Sequence, residues 1–204
     1  MKFALQRLIV GPWPVNCYLL RCTATGQIAI VDPGADAAKI LSAIGDDQVS
    51  CILLTHGHPD HCGVLVEIQQ TTDAPAGIHL EDAEAFGLEA DFPLMDGMEI
   101  EVGRGRVKVA HVPGHTPGSI CLRFNGQALV GDAIFPGGPG YTATPDALAQ
   151  SLVSLGQTVF RWPKRTQLYP GHGGPTTVGS EKEAYKAFLV ADHPPGLCGD
   201  VKWR

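Results

Sequence analysis

Directly behind the apolar run CILLT, residues 51–55, the chain places His56, His58, Asp60 and His61 within six consecutive positions. Crowding imidazoles and a carboxylate against the end of a buried run contributes nothing to packing. Polar groups left unpartnered in an apolar interior also cost several kcal/mol, about 2–7 each. The fold must therefore end this run at an open edge, where other loops can deliver partners. The chain carries matching candidates behind later apolar runs: His115 in HVPGHTPGS after VKVAHV, Asp132 in LVGDAIF, and His172 in LYPGHGG after TQLY. Each has a glycine beside it or two residues away, as a close approach of backbone requires.

Short apolar and β-branched runs recur along the whole chain: ALQRLIV, VNCYLLRC, QIAIVD, CILLT, AGIHL, MEIEV, VKVAHV, SICLRF and QALVGD. Each has strand length and is bounded by Gly, Pro, Asp or Asn. Helical patterns interrupt them. DAAKILSAIG ends on Gly45 in the manner of a C-cap. DHCGVLVEIQQTT reads as one helix, with Asp60 accepting backbone N–H groups at its start. TPDALAQSLVSLG opens on Thr144 as N-cap with Pro145 in the first turn, and GSEKEAYKAFLV closes the series. Two β-rich halves with helices on their outer faces fit this order, so residues 1–204 are expected to form one α/β domain, a four-layer αββα sandwich of two mixed sheets.

The balance of 15 Lys plus Arg against 21 Asp plus Glu, a formal net charge of -6, speaks against a nucleic-acid backbone as partner. No run approaches the roughly 18 apolar residues of a membrane span. In MKFALQRLIV, Gln6 and Arg7 interrupt any secretory apolar region. The six cysteines contain no CxxC pair and read as reduced thiols. The expectation is a cytoplasmic protein with a small-molecule substrate. Nothing in the sequence indicates an oligomeric state.

The spacing of the cluster has a mechanical reading. His56 and His58, two apart in extended chain, point the same way and can clasp one cation. Asp60 and His61 follow the turn at Gly57 and Pro59 and face a neighbouring point. Two clasps predict two divalent ions, about 3.5–4 Å apart in sites of this type, with Asp132 as the bridging carboxylate. Imidazole and carboxylate donors suit zinc first, with iron or manganese as alternatives. His79, His111 and His193 read as ordinary hydrogen-bonded histidines. Cys62, next to the cluster, reads as packing at a helix start, not as a nucleophile.

THGHPDH, HVPGHTPGS, LVGDAIF and YPGHG, in this order, resemble the metallo-β-lactamase fold superfamily, and its glyoxalase II-like branch in particular. The resemblance runs from about residue 5 to residue 190. It implies a first ion held by His56, His58 and His115, a second by Asp60, His61 and His172, and Asp132 shared. It also implies that Asp32, in AIVDPG, orients the metal loop by hydrogen bonds. The implied activity is hydrolysis of a thioester, lactone or related ester by a metal-bound hydroxide. Asp132 and Asp60 are the catalytic carboxylates, with Asp60 able to shuttle a proton to the leaving group if it is not fully committed to metal. The turn FPGGPGYT, residues 135–142, lacks the cysteine and arginine of the matching turn in glyoxalase II, so glutathione is not implied as the leaving group. Tyr141 in that turn is a candidate for offering its hydroxyl to substrate. A mononuclear iron oxygenase of the persulfide dioxygenase kind shares these letters and is a second reading; a non-catalytic binding relative is a third, against which stands that such proteins usually lose ligands while this chain keeps all seven.

Overall fold

The computed structural model describes residues 2–203. Numbered along the chain, the first sheet holds β1 (Phe3–Val10), β2 (Val15–Cys22), β3 (Ile28–Val31), β4 (Val49–Leu53), β5 (Ala76–Ile78) and β6 (Phe92–Pro93), side by side in that order. β1, β2 and β3 pair antiparallel, while β3 to β6 run parallel, so the sheet is mixed. The second sheet runs β14 (Thr176–Thr177), β13 (Gln167–Pro170), β10 (Gln127–Gly131), β9 (Ile120–Phe124), β8 (Gly105–His111) and β7 (Glu99–Val102). It is antiparallel except for the β10–β13 pair. A small hairpin of β11 (Ile134–Phe135) and β12 (Gly138–Pro139) stands apart from both sheets.

The helices are α1 (Ala37–Ile44), α2 (Pro59–Cys62), α3 (Leu65–Thr72), α4 (Leu80–Phe86), α5 (Pro145–Gln157) and α6 (Val178–Val190). The strand period of two explains the layering. In β2, Tyr18 and Leu20 face the second sheet and pack with Val107, Val109, Leu122 and Leu129. Their neighbour Leu19 faces the other way and packs, with Ile30 and Ile52, against Ile40 and Ile68 of α1 and α3. On the far side, Val130 and Leu168 of the second sheet pack against Leu155, Tyr185 and Phe188 of α5 and α6. Three apolar layers between four layers of elements make the αββα sandwich, and they explain why the strands read as apolar runs and not as clean alternation.

Thr144 caps α5 as expected, its hydroxyl accepting the Ala147 N–H at 3.1 Å, and Gly45 ends α1 at φ 62°. The helix expected over 60–72 is two helices. Gly63 packs on the Gly34 carbonyl, where a Cβ would lie 2.4 Å from the oxygen, and the Val64 N–H turns to Pro33 O at 3.2 Å. That contact draws the chain off the helical path. Asp60 is in the first turn of α2 but makes no cap hydrogen bond, because its carboxylate is turned toward His172. α4 and the short strands β6, β11, β12 and β14 were not anticipated. Among the described residues, no helix is long and apolar enough to cross a membrane.

Candidate metal centre

All the polar loops leave their sheets at one edge. Asp32 follows β3, His56 follows β4, His115 follows β8, Asp132 follows β10 and His172 follows β13. β3 and β4 are parallel, as are β10 and β13, so these carboxyl ends face one crevice, the place where open α/β sheets bind ligands. The seven side chains expected to act together lie within this crevice.

They form two trios with a carboxylate between. His56, His58 and His115 offer ligand atoms within 4.8 Å of one another, and so do Asp60, His61 and His172. His58 Nδ1 stands 2.9 Å from His115 Nε2, and His61 Nε2 stands 3.3 Å from His172 Nε2. Asp132 reaches both trios: one oxygen is 3.6 Å from His61 Nε2, the other 3.6 Å from His172 Nε2 and 3.8 Å from His115 Nε2. Asp60 is 3.3 Å from His172 Nε2 and 4.0 Å from His61 Nε2.

The outward nitrogens fix what the inward ones can do. His61 Nδ1 lies 3.0 Å from Asp32, which is 1% exposed, and His115 Nδ1 lies 2.8 Å from the Tyr141 carbonyl. His172 Nδ1 faces the Pro14 carbonyl at 3.3 Å. His56 Nδ1 meets the Thr55 hydroxyl at 3.1 Å, and that hydroxyl donates to Asp32 at 2.7 Å. A ring nitrogen facing a carbonyl or carboxylate carries the proton, so Nε2 of neutral His115 and His172 presents a lone pair, and Nε2 of His61 does so once its second proton is lost. The 3.3 Å between His61 and His172 therefore holds a positive charge, a proton in the metal-free protein or a metal ion in its place. His56 Nε2 and Asp132 Oδ1 are buried with no hydrogen-bond partner at all. Bonds of about 2.0–2.1 Å to a tetrahedral ion place ligands about 3.3–3.4 Å apart; the 3.3 Å of the second trio matches this, and the 2.9 Å between His58 and His115 would open by a few tenths of an ångström to admit an ion.

Protonation follows the same logic. Burial, reinforced by neighbouring imidazoles, holds His56 well below its ordinary value, and burial lowers His115 to about 4. Burial also works against charge on His61, but the Asp32 hydrogen bond and the charges of Asp32, Asp132 and Asp60 overcome it and raise His61 to about 9. Burial lifts Asp132 to about 6 against the pull of His61 and His172. The carboxylates thus make a field that calls for positive charge at the second trio.

Two close approaches permit the arrangement. A Cβ on Gly171 would lie 2.2 Å from Asp132 Oδ1 and 2.4 Å from the His61 ring; one on Gly140 would lie 1.7 Å from Asp132 O. These glycines make room for the ligands themselves. Asp32 has φ 53°, a conformation rare outside glycine, which places its carboxylate between the β4 loop and His61.

The remaining candidates separate cleanly. Tyr141 is 52% exposed at the rim, and its carbonyl, not its hydroxyl, is the atom that touches the cluster. Burial raises the Cys62 thiol to about 11, and its Sγ lies 3.4 Å from the His58 carbonyl, so it packs and does not act as a thiolate. His79 Nδ1 accepts the Glu81 N–H, and the His111 and His193 rings bond to the Pro117 and Phe188 carbonyls. His79 and His111 are stacked 4.0 Å apart at 14°, so their in-plane lone pairs do not converge.

The sequence reading missed Asp82, which lies in α4 and is fully buried. Its carboxylate accepts the Gly57 N–H at 2.8 Å, the Thr116 hydroxyl at 2.7 Å and the Gly118 N–H at 2.6 Å. One side chain thus ties the His56–His58 loop to the His115 loop, while Phe86 of the same helix stands edge-on to His58 at 5.2 Å. The acidic first turn Glu81–Asp82 and the Gly87 stop, at φ 61°, were the available signals for this helix. Asp82→Ala leaves three buried donors unpaired and is expected to cost about 3 kcal/mol, a fall in Tm of about 6–12 °C for a chain of this length. Thermal denaturation by circular dichroism checks it; an unchanged Tm removes the clamp. Asn16 has a parallel role at the other trio, its amide donating to the Pro170 and Gly173 carbonyls that flank His172.

The family model described as "Metallo-beta-lactamase superfamily" matches residues 10–192. A hydroxyacylglutathione hydrolase of Anaeromyxobacter dehalogenans is 36% identical over 194 residues, covering 88% of this chain and 73% of that protein. The probable metallo-hydrolase YqgX of Bacillus subtilis is 31% identical, covering 87% and 94%. Among solved structures, TTHA1623 in a di-iron-bound form is similar with a TM-score of 0.72 and 30% identity, over 87% of this chain and 96% of that one. ETHE1 from Myxococcus xanthus has a TM-score of 0.80 and 27% identity, over 89% and 82%.

Proposed function

The chain belongs to the metallo-β-lactamase superfamily, and we propose that it is a dinuclear hydrolase of a small thioester, lactone or related ester. The observation that carries this reading is the pair of donor trios facing each other across Asp132. In this reading His56, His58 and His115 hold one divalent ion, Asp60, His61 and His172 the other, and Asp132 both. Zinc suits the imidazole and carboxylate donors, with iron or manganese as alternatives. A bound pair of ions supplies an acidified water and a Lewis acid for a polarised carbonyl.

The chain's own groups do the rest. Asp32 and Thr55 keep His56 and His61 in the tautomer that aims Nε2 inward. Tyr141 and Pro14 do the same for His115 and His172 through backbone carbonyls. Asp60, whose side chain is 25% exposed, would hand a proton to the departing sulfur or oxygen only when it is not bound to the second ion. The hydroxyacylglutathione hydrolase relative supports a thioester as substrate. Residues 1–204 act as one cytoplasmic domain in this reading.

Cation binding is expected to displace the His61 proton. With that group near 9 in the metal-free protein, zinc affinity rises as pH climbs from 7 toward 9, and falls more steeply below about 6, where Asp132 also takes up a proton. Calorimetry in two buffers of different ionisation heat at pH 7.5 reads about one proton from His61 and up to about one more from the acidified water per chain; a release well below one contradicts the assignment.

A second reading, an iron oxygenase, is favoured by the structural likeness to ETHE1. Elemental analysis beside a thioester and lactone panel, with an oxygen electrode and a persulfide, separates the two. Two ions per chain with hydrolysis and no oxygen consumption support the hydrolase. One iron with oxygen uptake overturns it.

A further inference from the structure

Glu181, in the first turn of α6, is 5% exposed, and donors from three other segments meet its carboxylate. Oε2 accepts the Gly137 N–H at 2.9 Å and the Trp203 indole N–H at 3.1 Å, while Oε1 accepts the Thr176 hydroxyl. A carboxylate is costly to bury, and what it offers in return is acceptors that a packing residue lacks. Asp32 and Asp82, also buried, each use theirs to tie down segments that carry ligands. Glu181 ties down the turn 135–142.

That turn needs a hold from outside. Its β11–β12 hairpin stands apart from both sheets, yet the Tyr141 carbonyl, two residues beyond it, is the partner of His115 Nδ1 at 2.8 Å. Residues 199–203 supply the other side of the grip. Thr142 and Gly199 exchange both backbone hydrogen bonds, at 3.3 and 2.8 Å, and the Trp203 N–H donates to the Gly137 carbonyl at 2.8 Å. A Cβ on Gly138 would lie 2.3 Å from the Val201 carbonyl oxygen, so turn and tail are in direct contact. The Trp203 ring is in turn set among Phe160, Tyr185 and Phe188, at centroid distances of 6.5, 5.6 and 5.5 Å. Turn, tail and α6 therefore meet at Glu181. Thr176 lies four residues beyond His172, but that ligand has its own anchors. Asn16 grips the Pro170 and Gly173 carbonyls, and Arg7 donates to the Gly173 carbonyl at 2.8 Å.

We propose that Glu181 is a positioning residue for His115. With Trp203 it holds the 135–142 turn so that the Tyr141 carbonyl keeps the His115 proton on Nδ1 and leaves Nε2 free toward His58 and Asp132. The proposal rests on the two-ion arrangement of the reading above and is indifferent to its substrate.

Proton–nitrogen correlation spectra of the histidine rings test it without turnover. In the metal-free wild type His115 is the Nδ1–H tautomer. In Glu181→Ala it becomes a mixture of tautomers, while His61 and His172 keep their wild-type spectra. A chelator-buffered zinc titration followed on the same resonances reads the two trios separately. Glu181→Ala weakens zinc at the His115 trio about 10- to 100-fold and leaves the Asp60 trio within about threefold. Glu181→Gln restores affinity to within about threefold of wild type, because its carbonyl still takes the Gly137 and Trp203 donors and its amide donates to the Thr176 hydroxyl. Trp203→Phe keeps a ring in the aromatic cluster and removes only the indole N–H. It shows the same selective weakening, about threefold to tenfold, and decides the matter if the alanine variant does not fold. A wild-type tautomer and affinity, an equal loss at both trios, or a glutamine variant as weak as alanine overturns the role of Glu181. If the wild type cleaves no ester, the hydrolase reading fails while the His115 tautomer still decides Glu181.

Discussion

Asp132→Ala is expected to lose both bound ions and to reduce turnover by at least about 10³-fold, while the protein stays folded. The carboxylate lies within reach of both trios, 3.6 Å from His61 and His172 and 3.8 Å from His115. Without it, Asp60 is the one carboxylate left among the seven ligands to balance two dications, and no carboxylate joins the two trios. The fold does not depend on it in the same way. Burial raises its pKa to about 6 against the pull of His61 and His172, so at neutral pH the ionised group is held at a cost in the metal-free protein, and its Oδ1 has no hydrogen-bond partner. Alanine removes that cost, and the metal-free variant melts no lower than the metal-free wild type. Elemental analysis, steady-state kinetics and thermal melting read all three quantities. Full metal content with retained activity contradicts the bridging assignment.

Replacing Asp32 has the other large effect, and it acts through geometry. Its carboxylate takes the Thr55 N–H at 2.8 Å, the Thr55 hydroxyl at 2.7 Å and the His61 Nδ1–H at 3.0 Å, all buried. Alanine strands these three donors and places a Cβ-only residue at φ 53°, for an expected loss of about 3–5 kcal/mol. Asp32→Asn separates the metal effect from that loss. Asparagine tolerates the left-handed backbone, but its amide brings two N–H groups to where donors already point. His61 is then driven toward the wrong tautomer, and affinity for the second ion is expected to fall about 10- to 100-fold. Chemical denaturation and metal titration of both variants check this. An asparagine variant that folds and binds two ions at wild-type affinity would show that Asp32 does not set His61.

What the sequence made legible was the set of polar residues behind apolar runs, because a buried strand must end at an edge and these loops end at the same one. The four-layer architecture was legible for the same reason: strands apolar on both faces require cover on both. What stayed hidden lies in contacts between distant segments. Asp82 acts only because α4, a seven-residue helix, comes to rest against the Gly57 and Gly118 backbones. Asn16 and Pro14 serve His172, about 160 positions further along, as their 2.9 Å and 3.3 Å contacts record. The break between α2 and α3 was equally invisible, since it is imposed by the Pro33–Gly34 backbone pressing on Gly63. Asp60 misled for a related reason. An acidic residue in a helical first turn reads as a cap, yet here its neighbours on other loops claim the carboxylate.

Zinc-edge anomalous diffraction from crystals of the zinc-loaded protein tests the central claim most directly. Two peaks per chain are predicted, about 3.5–4 Å apart, one against His56, His58 and His115, the other against Asp60, His61 and His172, with Asp132 between. A single peak, or a pair lying away from Asp132, would contradict it.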